Sequence, residues 1–230
     1  MHAFGIEAFR YHPEATQFGR FVAALKTFDI DLIIDVGANQ GQFGESLREY
    51  GYIGKIVSFE PLKEAHNNLI KASHDDSNWT VYPRCALGSH VGEIELNISA
   101  NSVSSSVLPM LTTHAKAAPH SVYIGQDMCP LSTLDMTMPD YLEASKSVLI
   151  KIDTQGFEWQ VLDGAKEMLS KARGVLIEMS LVELYEGQKL WHEIMERLEA
   201  NGFTLWSLQP AFIDSDNGRT LQLDGLFFRL

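Results

Sequence analysis

The chain has 230 residues, of which 45% are hydrophobic and 21% are charged, and its formal net charge is −12 at pH 7. This length suits one α/β domain with a buried core and is short for two domains. A nucleic-acid groove needs clustered Lys and Arg. The 18 basic residues form no such cluster, so the charge argues against DNA, RNA and anionic membranes as partners.

The cysteines and the N-terminus indicate the cellular setting. Cys85 and Cys129 belong neither to a CxxC pair nor to a Cys/His metal spacing, so we expect two buried thiols. No run approaches 18 apolar residues, and no basic region precedes an apolar core at the N-terminus. These features predict a cytoplasmic protein without a membrane span.

The first predicted element is a helix over 13–28. Phe18, Phe21, Val22 and Leu25 fall at helical spacing there, which is typical of an amphipathic helix. We interpret residues 1–30 as a helical extension, serving as a lid or a packing element, of a single domain that spans 1–230.

Apolar runs and helical patterns then alternate along the chain. Strands are predicted at 32–36, 55–59, 79–86, 92–99, 128–134, 148–152, 174–179, 203–208 and 221–228. Helices are predicted at 41–50, 63–73, 157–169 and 189–200. This alternation predicts a doubly wound, mostly parallel α/β sheet, and the short link before the last strand predicts an antiparallel final pair.

Residues 100–120 break the alternation with a polar stretch at 101–106 followed by His114 and His120. A long irregular segment in a compact domain is often functional. We therefore interpret 100–135 as an insertion on the substrate side.

The most informative motif joins two predicted strand ends. Residues 33–41 pass from an apolar strand through Asp35 into a turn that contains Gly37 and Gly41, and the next strand ends at Glu60. A glycine turn lets a ligand lie against bare backbone, and a carboxylate at the end of the second strand accepts the hydroxyls of a ribose. The motif therefore predicts a nucleoside pocket.

Asp35 and the glycine spacing favour one ligand for this pocket. A dinucleotide turn requires Gly-x-Gly-x-x-Gly, which is absent here, and a carboxylate repels a pyrophosphate but attracts a cation. S-adenosylmethionine carries a sulfonium and an ammonium, has no phosphate and keeps a ribose diol, so we predict it as the cofactor. The alternative is that Asp35 caps the next helix and that Glu60 is a surface residue.

The predicted cofactor-binding residues extend from the motif to the ends of the following strands. Ala86 and Leu87 would lie against the adenine, although strand-end packing explains them as well. The full set is Asp35, Gly37, Ala38, Asn39, Gly41, Glu60, Pro61, Ala86, Leu87 and Asp153.

An ordered set of motifs resembles the FkbM-type S-adenosylmethionine-dependent methyltransferases of class I. The matching segments are Asp35-Val-Gly-Ala-Asn-Gln-Gly41, Phe59-Glu-Pro61, Ala86-Leu-Gly88, Ser104-Ser-Ser106, Ser132-Thr-Leu-Asp135, Lys151-Ile-Asp-Thr-Gln-Gly-Phe-Glu158 and Asp224-Gly-Leu-Phe-Phe228. They span about residues 30–230. One position differs, since Gln155 stands where relatives often carry Glu.

The resemblance implies a seven-stranded sheet with an antiparallel last strand. It also implies an O-methyltransferase that acts on a hydroxyl of a sugar, a glycolipid or a glycosylated natural product. The expected partner is therefore a small-molecule or glycan acceptor.

A hydroxyl acceptor needs a base, because neutral alcohols attack poorly. Asp153 follows a buried strand at the edge where open α/β sheets bind ligands, so it is the first candidate, with cofactor binding or metal binding as its other roles. His114 and His120 are the alternatives, since histidine titrates near neutral pH. Glu158 is compatible with a helix-capping role.

Substrate contacts are predicted at Ser104, Ser105 and Glu178, the last at another strand end. The serines are equally compatible with a flexible loop. Asp153, Gln155 and Glu178 offer oxygen ligands that suit Mg²⁺, but no spacing indicates a metal, so a metal requirement stays undetermined.

Three other functions are compatible with the sequence. They are methylation of an amine, a carboxylate or a carbon by the same fold, a nucleoside-binding module without turnover, and a dinucleotide oxidoreductase. The sequence also leaves the oligomeric state open, a homodimer included.

Overall fold

A computed structural model describes residues 16–138, 141 and 145–230. The first half of the predicted N-terminal extension, with residues 13–15 of its predicted helix, lies outside the described residues. The rest of that helix is confirmed as α1, Gln17–Thr27.

Ten strands form two sheets among the described residues. The strands are β1 Leu32–Val36, β2 Lys55–Phe59, β3 Trp79–Val81, β4 Ala86–Leu87, β5 Gly92–Ser99, β6 Tyr123–Ser132, β7 Val148–Ile152, β8 Gly174–Ser180, β9 Thr204–Ile213 and β10 Thr220–Phe228. The central sheet has seven strands in the order β3-β2-β1-β7-β8-β10-β9, and a smaller sheet has the order β4-β6-β5. Five neighbouring strands of the central sheet are parallel, and β10 is antiparallel to both β8 and β9.

Helices cover both faces of the central sheet because its inner strands bury apolar side chains on both sides. Besides α1, the described residues form the α-helices α2 Gln42–Glu49, α3 Lys63–Ser73, α4 Thr112–Ala117, α5 Leu134–Thr137, α6 Glu158–Asp163, α7 Lys166–Lys171 and α8 Trp191–Ala200. Ile33 and Leu149 pack with α1, α2 and α3, whereas Ile34 and Ile150 pack with α6, α7 and α8. The predicted doubly wound fold with an antiparallel last strand is confirmed.

Several predicted boundaries are wrong. The strand predicted at 79–86 is two strands, since β3 ends at Val81 and Ala86 begins β4 of the small sheet. Pro83 lies between them and cannot donate a ladder hydrogen bond. The strand predicted at 128–134 is the longer β6, Tyr123–Ser132.

Two helical predictions also need correction. The helix predicted over 157–169 is divided into α6 and α7 at Gly164, whose backbone lies so close to Gly88 that a Cβ there would meet the Gly88 carbonyl oxygen at 2.0 Å. The irregular segment 100–120 contains α4 and part of a short 3-10 helix, Pro119–Ser121. Within the described parts of the chain, no helix has the length and apolar character that a membrane crossing requires.

We expect Gly37→Ala to destabilise the fold strongly. Gly37 has φ +78°, and a Cβ there would lie 1.8 Å from the Asp153 carbonyl oxygen. Gly218→Ala is the matched control, because Gly218 has φ +75° with nothing within 4 Å of its Cβ position. Both variants incur the left-handed backbone strain, but only Gly37→Ala adds overpacking, of about 1–3 kcal/mol. Urea unfolding of both variants measures the difference, and equal losses would refute the close approach.

Candidate active site

The site lies at the edge of the central sheet where the parallel strands end. The turn after β1 is held against β2, because the backbone N–H groups of Gly37 and Ala38 donate to the Phe59 carbonyl at 3.1 and 3.0 Å. Gly37 also allows the close approach of the loop that follows β7. Two adjoining cavities open at this edge.

The first cavity has a volume of about 370 Å³. Its lining includes Glu60, Pro61, Ala86 and Leu87, residues 101–107, and Asp153 and Gln155. Predicted residues from the ends of β1, β2, β4 and β7 therefore meet in one cavity.

The second cavity has a volume of about 570 Å³ and lies beneath α1. It is lined by α1, by the start of α2 and by β9 and β10. Its boundary with the first cavity is formed by residues that line both, namely Gly37, Asn39, Val103, Asp153 and Glu178.

Glu60 is buried and held in one orientation by backbone donors. Its Oε2 accepts a hydrogen bond from the Asn39 N–H at 2.7 Å, and its Oε1 accepts one from the Leu62 N–H at 2.8 Å. Burial raises the pKa of Glu60 to about 7, against the opposing effect of these donors. Each oxygen keeps a further lone pair for a ligand hydroxyl.

Asp35 is placed differently from the prediction of a direct ligand contact. The side chain is fully buried and is not among the residues that line either cavity. The Lys151 Nζ lies 3.1 Å from its Oδ1, and the Ser58 hydroxyl donates to its Oδ2 at 3.4 Å. Asp35 therefore acts on the site from behind the cavity lining, by pairing with Lys151 and through its charge, which adds to the burial that raises the pKa of Glu60.

Lys151 connects this buried pair with the cavities. Its Nζ donates to the Gly37 carbonyl at 3.0 Å and lies 3.5 Å from Asp153 Oδ2. Burial lowers the pKa of Lys151, but Asp35 and Asp153 outweigh it and the pKa is raised overall. The ammonium therefore stays charged at neutral pH.

Asp153 and Glu178 form an acid pair that is bridged by one amide. The Gln155 Nε2 donates to Asp153 Oδ1 at 2.9 Å and to Glu178 Oε2 at 2.8 Å. The Gln222 Nε2 also donates to Glu178 Oε2, at 2.7 Å. Burial and then Asp153 raise the pKa of Glu178 well above its usual value, so Glu178 is suited to hold a proton. Asp224 lies nearby, and burial raises its pKa to about 6.

The loop after β7 is fixed from both sides. The Gln155 backbone has φ 54°, and its carbonyl accepts a hydrogen bond from the Ser106 hydroxyl at 2.6 Å. Glu158 Oε1 accepts from the Thr154 and Gly156 N–H groups at 3.0 Å each. Burial raises the pKa of Glu158 to about 7. These hydrogen bonds show that the Glu158 side chain stabilises the loop after β7.

The two candidate histidines have different surroundings. His114 is buried in α4, lines the first cavity and packs against the rings of Tyr185 and Phe212 at 5.1 and 5.3 Å. Burial lowers its pKa to about 4, which makes it a weak base. His120 is exposed in the 3-10 helix and lines neither cavity.

The serine segment and Gly41 mostly serve the local structure. Ser104 Oγ accepts a hydrogen bond from Asn101, and Ser105 Oγ accepts one from the Ser99 N–H. Both serines still line the first cavity. Gly41 precedes α2 with φ +101° and lines neither cavity, and a Cβ at this position would lie 3.1–3.2 Å from Leu69, Ala72 and Trp79.

No group of three or more His, Cys, Asp or Glu side chains among the described residues is arranged to hold a metal ion. Asp153, Gln155 and Glu178 are the three side chains that offer oxygen ligands suited to Mg²⁺. The Gln155 amide donates hydrogen bonds to the other two.

The family model of the methyltransferase FkbM domain matches residues 35–205. The chain belongs to this family. It is accordingly an S-adenosylmethionine-dependent methyltransferase, as the ordered motifs predicted. No curated protein matches the chain.

Solved structures are similar to this chain at low identity. The fibrillarin/Nop5p complex is 11% identical with a TM-score of 0.51, and the match covers 97% of this chain and 87% of that chain. Magnesium protoporphyrin IX methyltransferase from Synechocystis PCC 6803 with bound SAM is 12% identical with a TM-score of 0.49, covering 92% and 76%. At these identities the similarity concerns the fold.

Sequence reasoning missed several residues of this FkbM methyltransferase site. Gln222 and Asp224 line the first and second cavity respectively, and Lys151 organises the loops between the cavities. Gln222 and Asp224 are two positions apart in the final strand and therefore share one face of it. This polar spacing could have indicated them as site residues. The ion pair between Lys151 and Asp35 depends on the register of β1 and β7, which cannot be read from the sequence.

Lys151→Met should destabilise the protein by about 3–5 kcal/mol, because it leaves the Asp35 carboxylate buried without a counter-charge. The double variant Asp35→Asn with Lys151→Met should recover much of this loss. Urea unfolding of both and of Asp35→Asn alone, with the exposed Lys171→Met as control, measures the coupling. Losses that simply add would contradict the ion pair.

Proposed function

We propose that this S-adenosylmethionine-dependent methyltransferase methylates a hydroxyl of a carbohydrate or of a glycosylated metabolite. The observation that carries the proposal is the amide-bridged acid pair of Asp153 and Glu178, which lies where the two cavities meet. Alcohol acceptors must lose a proton as they attack, and a positioned carboxylate is suited to receive it.

The first cavity fits the adenosyl part of the cofactor. Glu60 presents a buried carboxylate with free lone pairs to the ribose hydroxyls, and Ala86 and Leu87 offer an apolar surface for the adenine. Its small volume and its carboxylates disfavour a diphosphate. When bound, S-adenosylmethionine supplies an electrophilic methyl group. The bond between this methyl group and sulfur breaks as the acceptor oxygen attacks, and the electron pair of that bond remains on sulfur.

Asp153 is the proposed proton acceptor. The Gln155 amide orients its Oδ1, and its Oδ2 faces the Lys151 ammonium at 3.5 Å. Glu178 shares the same amide and would hold the acceptor hydroxyl. His114 lines the same cavity, and burial lowers its pKa to about 4, so it loses the advantage that a histidine titrating near neutral pH would have as a base.

The charge distribution supports a neutral small-molecule or glycan acceptor over a nucleic acid. The formal net charge is −12. Among the described residues, Lys151 is the one cation that lines the second cavity, and it is already paired with Asp35 and Asp153. A phosphate-rich acceptor would meet carboxylates that lack compensating cations.

Glu60→Ala should weaken binding of S-adenosylhomocysteine by about 2 kcal/mol, or roughly 30-fold, because two hydrogen bonds to a charged acceptor are lost. Isothermal titration calorimetry measures this change. The exposed neighbour Glu64→Ala is the matched control and should bind like the wild type. Unchanged affinity in Glu60→Ala would remove Glu60 from the pocket.

The same pair of variants tests the raised pKa of Glu60. Ribose hydroxyls donate hydrogen bonds to the carboxylate form of Glu60. The affinity of the wild type for S-adenosylhomocysteine should therefore reach its maximum above pH 7. It should fall by up to about tenfold per unit below the pKa of about 7. This fall should persist in Glu64→Ala and disappear in Glu60→Ala. An identical pH profile in Glu60→Ala would assign the titration to another group.

Methyl transfer to a panel of acceptors tests the proposed chemistry. Purified protein with tritium-labelled S-adenosylmethionine should label simple glycosides and not amines, carboxylic acids or RNA. Asp153→Asn should reduce turnover far more than affinity for S-adenosylhomocysteine, as expected for a base. Label in RNA or amines alone would overturn the hydroxyl assignment, and lost cofactor affinity in Asp153→Asn would make Asp153 a binding group.

A further inference from the structure

His114 is a buried polar side chain that has no role in the proposed proton transfer. It is 2% exposed and lines the first cavity, yet its Nδ1 has no hydrogen-bond partner among the described residues. Its ring packs against Tyr185 and Phe212, which belong to an apolar cluster with Leu184 and Leu221. An unpartnered polar group in such surroundings costs free energy, so packing does not explain why a histidine stands here.

Backbone hydrogen bonds hold α4, which carries His114, in place. The Leu111 N–H donates to the Leu184 carbonyl at 2.9 Å, and the Glu186 N–H donates to the Pro109 carbonyl at 2.9 Å. Both bonds lie directly before α4 in the chain, so the ring has a defined position in the cavity wall. A half-turn of the imidazole about χ2 exchanges nitrogen and carbon positions with little change of shape. The ring can therefore present a nitrogen to the cavity.

His114 lies on the flank of the sheet away from the carboxylate proposed to bind the ribose. In the strand order, Glu60 follows β2, and Gln222 of β10 stands four strands further along. At about 4.8 Å per strand, this separation is roughly 19 Å. Phe212, which packs on His114, is the register partner of Gln222. The part of the first cavity around His114 is therefore distinct from the part assigned to the adenosyl group.

The acid pair stands between these two parts, at the ends of β7 and β8. The Tyr185 ring lies 5.1 Å from the His114 ring, and its hydroxyl donates to Gln155, the amide that bridges the pair. Gln222 donates to the pair from β10. A molecule on this flank can therefore contact His114 while one of its hydroxyls reaches the acid pair.

The chemistry of His114 suits a hydroxyl ligand. Burial lowers the pKa of His114 to about 4, so the imidazole is neutral at pH 7. A neutral imidazole has one donor nitrogen and one acceptor nitrogen, and a hydroxyl is also both donor and acceptor. Without a charge, the ring offers no Coulombic attraction to a phosphate or a carboxylate.

We propose that His114 is a specificity-determining residue that hydrogen-bonds a second hydroxyl of the acceptor, beside the hydroxyl that Asp153 deprotonates. The acceptor then carries at least two hydroxyls, and a molecule with a single hydroxyl is a poor substrate. This inference rests on the proposed hydroxyl methylation, and it adds the residue that recognises the acceptor and the part of the cavity where recognition takes place.

Apolar variants separate recognition from a structural role. In His114→Phe the midpoint of urea unfolding should equal or exceed that of the wild type, because an apolar ring replaces an unpartnered polar group in an apolar cluster. His114→Leu is the second apolar variant in case the larger ring overpacks the cluster. Calorimetric affinity for S-adenosylhomocysteine should stay within about twofold of the wild type in both, since the adenosyl part of the cavity is untouched.

Methyl-transfer kinetics with labelled S-adenosylmethionine test the recognition itself. The acceptor probe is the glycoside that the wild type labels fastest, with methyl β-D-glucopyranoside tried first. Its KM should rise roughly tenfold in His114→Phe while kcat changes little, because Asp153 is intact. His114→Asn, whose amide can take the place of Nδ1, should recover most of this loss. The exposed His90→Phe is the matched control and should behave like the wild type.

A probe with one hydroxyl completes the test. Cyclohexanol should be labelled slowly, and equally by the wild type and by His114→Phe, because it has no second hydroxyl to lose. An unchanged KM for the glycoside in both apolar variants, an equal rise in His114→Asn, strong destabilisation of both apolar variants or lost affinity for S-adenosylhomocysteine would overturn the role of His114 and leave hydroxyl methylation standing. Label in no glycoside at all would instead refute the proposed function, and this inference with it.

Discussion

The buried ion pair of Asp35 and Lys151 is the interaction on which the site depends. The two residues are register partners on neighbouring parallel strands, and each is nearly or fully excluded from solvent. Burying a charge pair is costly, and apolar side chains would often stabilise a core as well. What the pair adds is a fixed ammonium that also binds the Gly37 carbonyl and faces Asp153. The buried pair that costs free energy therefore also fixes the positions of residues that line both cavities.

This fixed centre joins the nucleoside end of the site to the acid end. The turn after β1 is bonded to the end of β2 through the Phe59 carbonyl, and the same turn approaches the Asp153 carbonyl so closely that only glycine fits at position 37. Asn39 then donates its N–H to Glu60. A shift of the loop after β7 would thus be transmitted to the carboxylate proposed to bind the ribose.

Much of the fold could be predicted because buried parallel strands are short apolar runs. Lys55–Phe59 and Val148–Ile152 were predicted at their observed bounds, whereas β3 and β4 were merged because propensity does not show that a chain leaves one sheet for another. The site was harder. Glu60 and Asp153 stand at strand ends, where a motif reveals them. Asp35 looks similar in sequence, yet its partner lies 116 residues away and only register shows that they meet.

Gln155 shows how one amide can organise two acids. Burial raises the pKa of the Tyr185 hydroxyl, so it stays protonated and donates to Gln155 Oε1 at 2.9 Å. The amide nitrogen must then point the other way, and its two hydrogens match Asp153 and Glu178. A glutamate at this position would offer the acids no hydrogen unless it were protonated, and would add a third carboxylate. The glutamine at position 155 therefore fits an acid pair whose orientation is set by a neutral donor.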